Sequence, residues 1–443
     1  MLSNFVSREG NCILVEGKLN LQAFLWIVAR LREAEQKGYQ DFIFDFTACD
    51  IAYPEGLVPM AALADALRNR GNGVEIVLPN NEVAERLLIN CNLAHFIRPD
   101  LYEYKQVILP KHVSIRRYSS IGEQVSIVRE FIHIALNNLK LRRDVLQGME
   151  WSLNEIMDNV LIHAQSDRGG FVGAMTLEDQ VTFSVADCGR GILASLREGY
   201  PALTRDIDAI GEAVKAGVTR NPEIGQGNGL AGSLRIATGS GGSITVVSGV
   251  GQLNVYKHDQ NTEAHGNLLP PFQRYAGTIV SVQIRKSATF SVAEALGFTN
   301  MVGGILDTIE TDYESPDGKA FAISMKKESP GFGSREAGKQ VRTKLTNLLE
   351  ADRSKLLVLD WEGVPLVSSS FADEAIGKLF VELGPIEFSS RIKNVTISSL
   401  VRRLIDKAIL QRSAQVVALA NRNAGTQRLA IKIADAPEGE SQH

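Results

Sequence analysis

The order of strand-like and helix-like segments changes twice along the 443 residues of this chain, and this order limits its fold more than any other feature. Residues 12–105 alternate the two kinds of segment, as in DFIFDF followed by GLVPMAALADALRNRG. Residues 120–164 hold two consecutive helix-like segments, and glycine-rich strand-like segments follow them. Residues 315–425 alternate again. Alternation favours an α/β domain, and helices followed by strands favour an α+β sandwich.

A chain of 443 residues is long enough for two or three domains, because one domain usually has ~100–200 residues. We expect domains at residues 1–110, 115–290 and 315–425, a linker at 291–314 and a C-terminal tail at 426–443. The last residues of the tail, DAPEGESQH, are expected to be disordered.

Composition excludes several classes of protein. The chain is 44% hydrophobic and 22% charged, as in soluble globular proteins, and its net charge of −4 gives no overall attraction to nucleic acid or anionic membranes. It has no run of ~20 apolar residues that could span a bilayer, and no secretory signal in MLSNFVSREGN. The four cysteines, Cys12, Cys49, Cys91 and Cys188, show no metal-ligand spacing. We therefore expect a cytoplasmic protein with reduced thiols, and neither nucleic-acid binding nor membrane association.

The two alternating regions share a weak internal repeat. DFTACDIAYPEGL begins at Asp45 and DWEGVPLVSSSFA begins at Asp360. Each follows a short apolar strand and leads into a helix, so we expect two similar domains on either side of a different central one.

The central region contains an amphipathic helix, WSLNEIMDNVLIHA, with polar residues next to its core face. Leu146, Met149, Leu153, Ile156 and Val160 fall on one stripe, which indicates the core face. Glu155 and Asn159 lie four residues apart beside that stripe, so they point toward whatever covers the helix. A solvated polar face is the alternative for this helix taken alone.

Three further elements follow this helix, and each taken alone is a weak signal. VTFSVADCGRGI is a strand that ends in an Asp-x-Gly-x-Gly sequence, GQGNGLAG leads into an apolar helix, and a Gly-Thr pair opens the last strand. Glycines before a helix allow a phosphate to approach the free N–H groups of the helix start. The residues concerned are Asp187, Gly189, Gly191, Gly225, Gly227, Gly229, Gly277 and Thr278.

In this order and spacing, residues 120–288 resemble the ATP-binding domain of the GHKL superfamily, which includes the DNA gyrase B subunit and the histidine kinases. EIMDNVLIHA resembles the N box, DCGRG the adenine-binding box and GQGNGLAG the glycine-rich box. The two helices before the N box are most similar to those of the anti-sigma-factor serine kinases. The resemblance implies a Bergerat-type sandwich, with helices on one face of a mixed sheet.

The resemblance also implies a role for each residue, with ATP and Mg²⁺ as cofactors. Asn159 would hold Mg²⁺, Asp187 would accept a hydrogen bond from the adenine amino group, and Glu155 would act as general base or as a carboxylate without a catalytic role. Arg220, in the loop AGVTRNPEIG, would contact phosphate or be an ordinary exposed arginine. The remaining nucleotide-binding positions would be Gly189, Gly191, Gly225, Gly227, Gly229 and Thr278.

The flanking regions resemble STAS domains, the fold of anti-sigma-factor antagonists. Such antagonists are phosphorylated on a serine at a helix start, where the N-terminal copy has Glu55. The C-terminal copy, which looks like a STAS-like family of unknown function, has Ser370 at that position. Ser370 is therefore a possible phosphoacceptor, although serine is also a common N-cap residue.

Three functions remain open at this stage. The chain is a regulatory switch whose Mg-ATP binding and slow hydrolysis control its STAS-like domains, a protein serine kinase acting on a STAS partner or on Ser370, or a non-catalytic ATP-binding scaffold. A STAS-domain or other regulatory protein is the expected partner, and a homodimer is possible. A histidine kinase is not favoured, because no helical hairpin with a phosphoacceptor histidine precedes the ATP-binding region.

Overall fold

The computed structural model describes residues 5–105, 108–109, 112–215, 229–258, 261–296, 307–329 and 331–434. The chain forms two units. Unit 1 comprises Met1–Ala135 and Leu141–Asp307, and unit 2 comprises Leu136–Lys140 and Thr308–His443. The boundary at Asp307 falls inside the predicted linker, and the first two predicted domains lie together in unit 1.

Unit 1 begins with an N-terminal lobe, residues 5–105, of alternating strands and helices. Strands β2, β4 and β6 pair in parallel, and β1 joins β2 in antiparallel orientation, while β3 and β5 form a separate parallel pair. This is the α/β arrangement that the alternating sequence predicts. The elements are β1 (Val6–Glu9), β2 (Cys12–Val15), β3 (Gly17–Leu19), α1 (Leu21–Gln36), β4 (Asp41–Asp45), β5 (Cys49–Ala52), α2 (Pro54–Asn69), β6 (Gly73–Val77), α3 (Glu82–Asn90) and α4 (Leu93–Ile97).

Local sequence signals explain where the helices of this lobe begin and end. The side-chain oxygen of Asn20 accepts the N–H of Ala23 at 3.0 Å, which satisfies one of the free donors at the start of α1. Pro54 occupies the first turn of α2, where its missing N–H removes no helical hydrogen bond. Helix α1 ends just before Gly38, whose φ of 87° suits glycine and ends the helical geometry.

The rest of unit 1 is built on an eight-stranded sheet with the order β13-β12-β11-β14-β10-β9-β8-β7. Its elements are β7 (Ile108–Leu109), β8 (His112–Tyr118), α5 (Ile121–Asn138), α6 (Arg143–Asn159), β9 (Gly170–Thr176), β10 (Gln180–Asp187), α7 (Gly191–Leu196), α8 (Asp206–Ala213), α9 (Gly229–Gly239), β11 (Ser243–Gly249), β12 (Gly251–His258), β13 (Asn261–Leu268), β14 (Tyr275–Arg285) and α10 (Val292–Leu296). The predicted order, two helices followed by strands, is confirmed.

The expectation of a mixed sheet is wrong for these strands. Every adjacent pair in the eight-stranded sheet is antiparallel. The reason is the connectivity, because hairpins join β9 to β10, β11 to β12 and β12 to β13, and a hairpin reverses the chain.

Helices cover both faces of the central strands of this sheet, and the outer strand β13 is largely exposed. On one face α6 packs closely against α9, since a Cβ on Gly148 would lie 2.8 Å from Ile236 and a Cβ on Gly232 would lie 2.1 Å from Trp151. On the other face α2 of the N-terminal lobe packs against β9, β10 and β14. Strands β9 and β10 are therefore buried on both faces along almost their whole length, and the polar side chains of Thr182 and Ser184 in β10 are buried as well.

Unit 2 has a three-stranded parallel sheet with the order β15-β16-β17. Its elements are α11 (Thr308–Tyr313), β15 (Ala320–Ser324), α12 (Met325–Glu328), α13 (Arg335–Ala351), β16 (Leu356–Asp360), α14 (Ser369–Ala372), α15 (Lys378–Arg391), β17 (Ile392–Val395) and α16 (Ser399–Ala434), with a π-helical turn at Asp373–Gly377 before α15. The alternation predicted for residues 315–425 is present up to β17, and the long helix α16 follows it.

The predicted tail differs from the structure in one part. Residues 426–434, placed in the tail, continue helix α16, which runs to Ala434. The sequence offers no proline between Ser399 and Ala434 to end that helix. The segment DAPEGESQH, residues 435–443, lies outside the described residues.

The whole fold is thus mixed α/β with several sheets. Among the described residues, no helix combines the length and the apolar character needed to cross a membrane.

Candidate functional site

The C-terminal half of α6 carries the first predicted site residues in the predicted orientation. Leu153 and Ile156 are at most 2% exposed and form part of the core, as expected. Glu155 and Asn159 are partly exposed beside that buried stripe. A π-helical turn, Val160–Ala164, follows Asn159 directly and changes the direction in which the chain leaves the helix.

Gly229, the first residue of α9, lies against both of these side chains. A Cβ on Gly229 would lie 2.5 Å from Glu155 Oε2 and 3.5 Å from Asn159 Nδ2. A larger residue at this position would displace the end of the Glu155 side chain, so the glycine leaves the start of α9 close to the carboxylate and the amide. The structure therefore brings three predicted site residues together at a helix N-terminus.

The predicted Asp-x-Gly-x-Gly loop lies at the end of β10 and is held by backbone hydrogen bonds. The N–H of Gly189 donates to Asp187 Oδ1 at 2.7 Å. The N–H of Arg190 donates to the carbonyl of Ala164 at 2.9 Å, and a Cβ on Gly189 would lie 2.2 Å from that carbonyl oxygen. The loop is thus attached to the end of the π-helical turn that begins after Asn159.

Strand register places Asp187 in a row of residues that crosses five strands. Ser248 pairs with Thr278, Thr278 with Asp187, Asp187 with Gly170, and Gly170 with Tyr118. Cross-strand partners share one face of a sheet, and the hydroxyl of Tyr118 donates to the carbonyl of Met157 on α6 at 3.2 Å. The row therefore lies on the face that α6 covers.

Ser248 forms hydrogen bonds at the place in this row where Gly191 and Gly277 lie close together. Its hydroxyl donates to the carbonyl of Gly277 at 3.0 Å and accepts the N–H of Ile192 at 2.9 Å, and Thr278 Oγ1 lies 3.4 Å from it. Gly191 has a φ of 78°, which few other residues adopt. Ser248 and Tyr118 are not predicted from the sequence, since neither belongs to a motif and only strand register brings them into the row with Asp187.

Burial determines the electrostatics of the site. Asp187 is 2% exposed, and this desolvation raises the pKa of its carboxyl to about 7 although the N–H groups of Gly189 and Thr278 favour the ionised form. Burial, together with the charge of Asp158, also raises the pKa of Glu155. The site therefore holds carboxylates in a poorly solvated position, where a donor or a cation would be bound strongly.

The remaining predicted residues lie elsewhere. Arg220, Gly225 and Gly227 fall outside the described residues. Ser370 is exposed in the first turn of α14 in unit 2. The N-cap of that helix is Ser368, whose side-chain oxygen accepts the N–H of Phe371 at 3.0 Å. The capping role considered for these serines thus belongs to Ser368, and Ser370 has no part in that cap.

Comparison with known proteins identifies one part of the chain. Residues 337–402, from α13 to the start of α16, match the family described as STAS-like domain of unknown function (DUF4325). This match assigns a STAS-like domain to the C-terminal part, as the sequence analysis expected, and it includes Ser370. No curated protein matches the chain.

We predict that Gly189→Ala destabilises the protein. Its Cβ would collide with the backbone carbonyl of Ala164, so we expect the free energy of unfolding to fall by roughly 1–3 kcal/mol. Gly211→Ala in α8 is the matched control, because its Cβ would meet no atom within 4 Å and alanine favours a helix. Urea unfolding measures both, and equal stability of the two variants would contradict the packing described here.

We also predict a pH-dependent stability difference between the wild type and Asp187→Asn. The raised pKa means that the folded state favours the neutral carboxyl, so its contribution to stability is present below about pH 4 and is lost as the pH rises toward about 7. Asparagine cannot ionise, so the stability of the variant relative to wild type should increase across this window, by at most about 1.4 kcal/mol per pH unit. Denaturant unfolding between pH 4 and 8 tests this, and a constant difference would count against a buried carboxyl.

Proposed function

We propose that the central part of unit 1 is a GHKL-type nucleotide site and that the protein is a regulatory switch, in which Mg-ATP binding and slow hydrolysis control its STAS-like domains. The observation that carries this proposal is the meeting of Glu155, Asn159 and Gly229 at the start of α9. These residues come from two of the motifs that resemble the superfamily, and they are about seventy positions apart in sequence. A solvated polar face, the alternative for this helix taken alone, does not account for the start of a second helix lying against both side chains.

The arrangement around Asp187 supports the same proposal. A nucleotide base needs a buried acceptor for its amino group, and Asp187 is a buried carboxylate held by two backbone N–H groups. A larger residue at Gly189, Gly191 or Gly277 would collide with neighbouring atoms, so the chain segments at this end of the sheet are closely packed. In the proposed function Thr278 lies beside the base.

The proposed roles follow from the donor groups present. Bound Mg-ATP would supply the phosphoryl group and the metal charge that stabilises it. Asn159 has a side-chain oxygen, the kind of ligand that Mg²⁺ prefers, and the free N–H groups at the start of α9 suit a phosphate. Glu155 has a raised pKa, so it can take a proton from a water or a serine hydroxyl near neutral pH. Arg220, Gly225 and Gly227 retain the roles that the resemblance implies.

A protein serine kinase is the second candidate function, and one observation favours it. Ser370 is exposed at a helix start in the part of the chain that matches a STAS-like family. In this case Glu155 would activate the serine hydroxyl of Ser370 or of a STAS-domain partner. The N-terminal lobe, proposed to be STAS-like on its parallel strands, has Glu55 at the comparable position and cannot accept phosphate.

We predict that Asp187→Asn weakens the binding of Mg-ADP at least tenfold, because a hydrogen bond to a charged group contributes roughly 1.5–3 kcal/mol and about 1.4 kcal/mol corresponds to tenfold. Isothermal titration calorimetry measures the Kd. Asp45→Asn is the matched control, since Asp45 also ends a strand and accepts the N–H of the residue two positions later at 2.8 Å. Unchanged affinity in Asp187→Asn, or equal loss in both variants, would count against the adenine role.

We predict that Glu155→Gln retains Mg-ADP binding but loses turnover by about 10²–10⁴-fold, because the amide cannot accept a proton. Incubation with Mg-ATP followed by a phosphate assay and mass spectrometry measures the products. Free phosphate alone supports the switch, and phosphate on a serine that is lost in Ser370→Ala supports the kinase acting on its own chain. Bound nucleotide without any turnover in the wild type would leave the non-catalytic scaffold as the function.

A further inference from the structure

The N-terminal lobe covers the face of the eight-stranded sheet opposite to α6, directly behind the candidate site. A Cβ on Gly173 in β9 would lie 3.0 Å from Val58 of α2, so strand and helix are in close contact. One continuous apolar core joins the two parts, and its buried sheet residues are Ile115, Phe171, Met175, Ala186, Val247, Tyr275 and Ile279. The lobe therefore forms a second layer packed against the sheet, in addition to its covalent connection through the chain.

One ion pair, between a buried carboxylate and a partly exposed guanidinium, connects α2 of the lobe to the loop that follows the site helix. Asp65 is 3% exposed, and its two carboxylate oxygens accept Arg168 Nε at 2.6 Å and a terminal nitrogen of Arg168 at 2.8 Å. This bidentate geometry is the strong form of the pair, and it fixes the orientation of the guanidinium. Arg168 lies between the π-helical turn Val160–Ala164 and β9.

The loop that carries Arg168 has little room to move by itself. A Cβ on Gly169 would lie 2.0 Å from the carbonyl oxygen of Tyr118, and a Cβ on Gly170 would lie 2.5 Å from the Tyr118 ring. Tyr118 in turn donates to the carbonyl of Met157 on α6. A displacement of Arg168 would therefore be transmitted to the helix that carries Asn159 and to Ala164, which holds the loop after Asp187.

A second contact reaches the site from α1. The ring of Phe24 meets the ring of Tyr275 edge to face, with centroids 5.4 Å apart. The hydroxyl of Tyr275 lies 3.4 Å from the sulfur of Cys188, the residue next to Asp187. The two contacts start on different helices of the lobe, and one ends in the loop before β9 while the other ends next to Asp187.

From these contacts we propose that the N-terminal lobe is a positioning domain for the nucleotide site, acting through the Asp65–Arg168 pair and the Phe24–Tyr275 contact. This inference rests on the proposed function. Asp65 is a positioning residue, since it touches the loop and not the nucleotide. Because energetic coupling is reciprocal, a nucleotide that stabilises the site also stabilises the packing of the lobe, and a partner that binds the lobe changes nucleotide affinity.

The first experiment uses the full-length wild type and Mg-ADP as the probe. Hydrogen exchange measured by mass spectrometry with and without Mg-ADP should show slower exchange in the amides of α2, Pro54–Asn69, which lie on the far side of the sheet from the site. Unchanged exchange in α2, with calorimetric binding intact, would overturn the positioning role and leave the proposed function standing. Absence of binding to the wild type would instead overturn the proposed function.

The second experiment is a double-mutant cycle of Asp65→Asn and Arg168→Gln, with Kd for Mg-ADP and Tm measured on each protein. We expect each single variant to raise Kd by about fivefold or more. The double variant should bind no more weakly than Asp65→Asn alone, because Asp65→Asn removes both the Arg168 pair and the Arg68 pair at 3.2 Å, and Arg168→Gln removes the first of these. A lower Tm with an unchanged Kd would show a purely structural pair and overturn the inference.

Two further variants complete the design. Glu75→Gln removes a carboxylate that pairs with Arg98 elsewhere in the lobe, so its Kd should remain that of the wild type. Phe24→Leu keeps an apolar side chain but loses the edge-to-face contact, and it tests the second route if Asp65→Asn does not fold. We expect Phe24→Leu to raise Kd, and equal Kd values for Phe24→Leu and Glu75→Gln would overturn a role for that route.

Discussion

The central strands of the eight-stranded sheet are covered on both faces, and the rest of unit 1 depends on that constraint. An antiparallel sheet commonly leaves one face in water, but β10 is buried along almost its whole length. Helices α6 and α9 exclude water from one face, and α1 and α2 of the N-terminal lobe exclude it from the other. The residues at the end of β10 are therefore desolvated, and this raises the pKa of the Asp187 carboxyl.

A carboxylate in such a position is unfavourable for folding. Nothing in the apolar core requires an acid at position 187, and desolvation outweighs the backbone N–H groups that favour its ionised form. Sites at which a sequence departs from what folding favours are often functional. The same reasoning applies less strongly to Glu155, whose carboxylate is partly buried beside Asp158 and faces the start of α9. Both acidic residues, Asp187 and Glu155, lie in motifs that resemble those of a nucleotide site.

Glycines explain how distant segments meet at this site. Gly229 allows α9 to start against Glu155, Gly189 allows the loop after β10 to pass the carbonyl of Ala164, and Gly170 leaves space for the ring of Tyr118. In each case the partner atom comes from a segment far away in sequence. The contacts are therefore part of the tertiary structure, and each glycine is required by a specific neighbour and not by local flexibility.

Much of the fold and part of the candidate site could be predicted from the sequence. Periodic apolar residues on α6 placed Glu155 and Asn159 beside the core face. The alternation of segments indicated α/β structure at both ends of the chain. At the C-terminal end, residues 337–402 match a STAS-like family. The antiparallel order of the large sheet could not be read from local periodicity, which does not report strand partners. Ser248 and Tyr118 were missed for the same reason, since only register places them in the row with Asp187.

The sequence by itself determined which segments become helices and strands and which residues lie on their polar and apolar faces, because these properties depend on neighbours within a few positions. Only the tertiary structure decided that the N-terminal lobe packs on the back of the central sheet and that Asp65 reaches Arg168, 103 positions later. A single ion pair between distant residues has no periodic signal. It forms because the burial of two apolar surfaces brings those residues together.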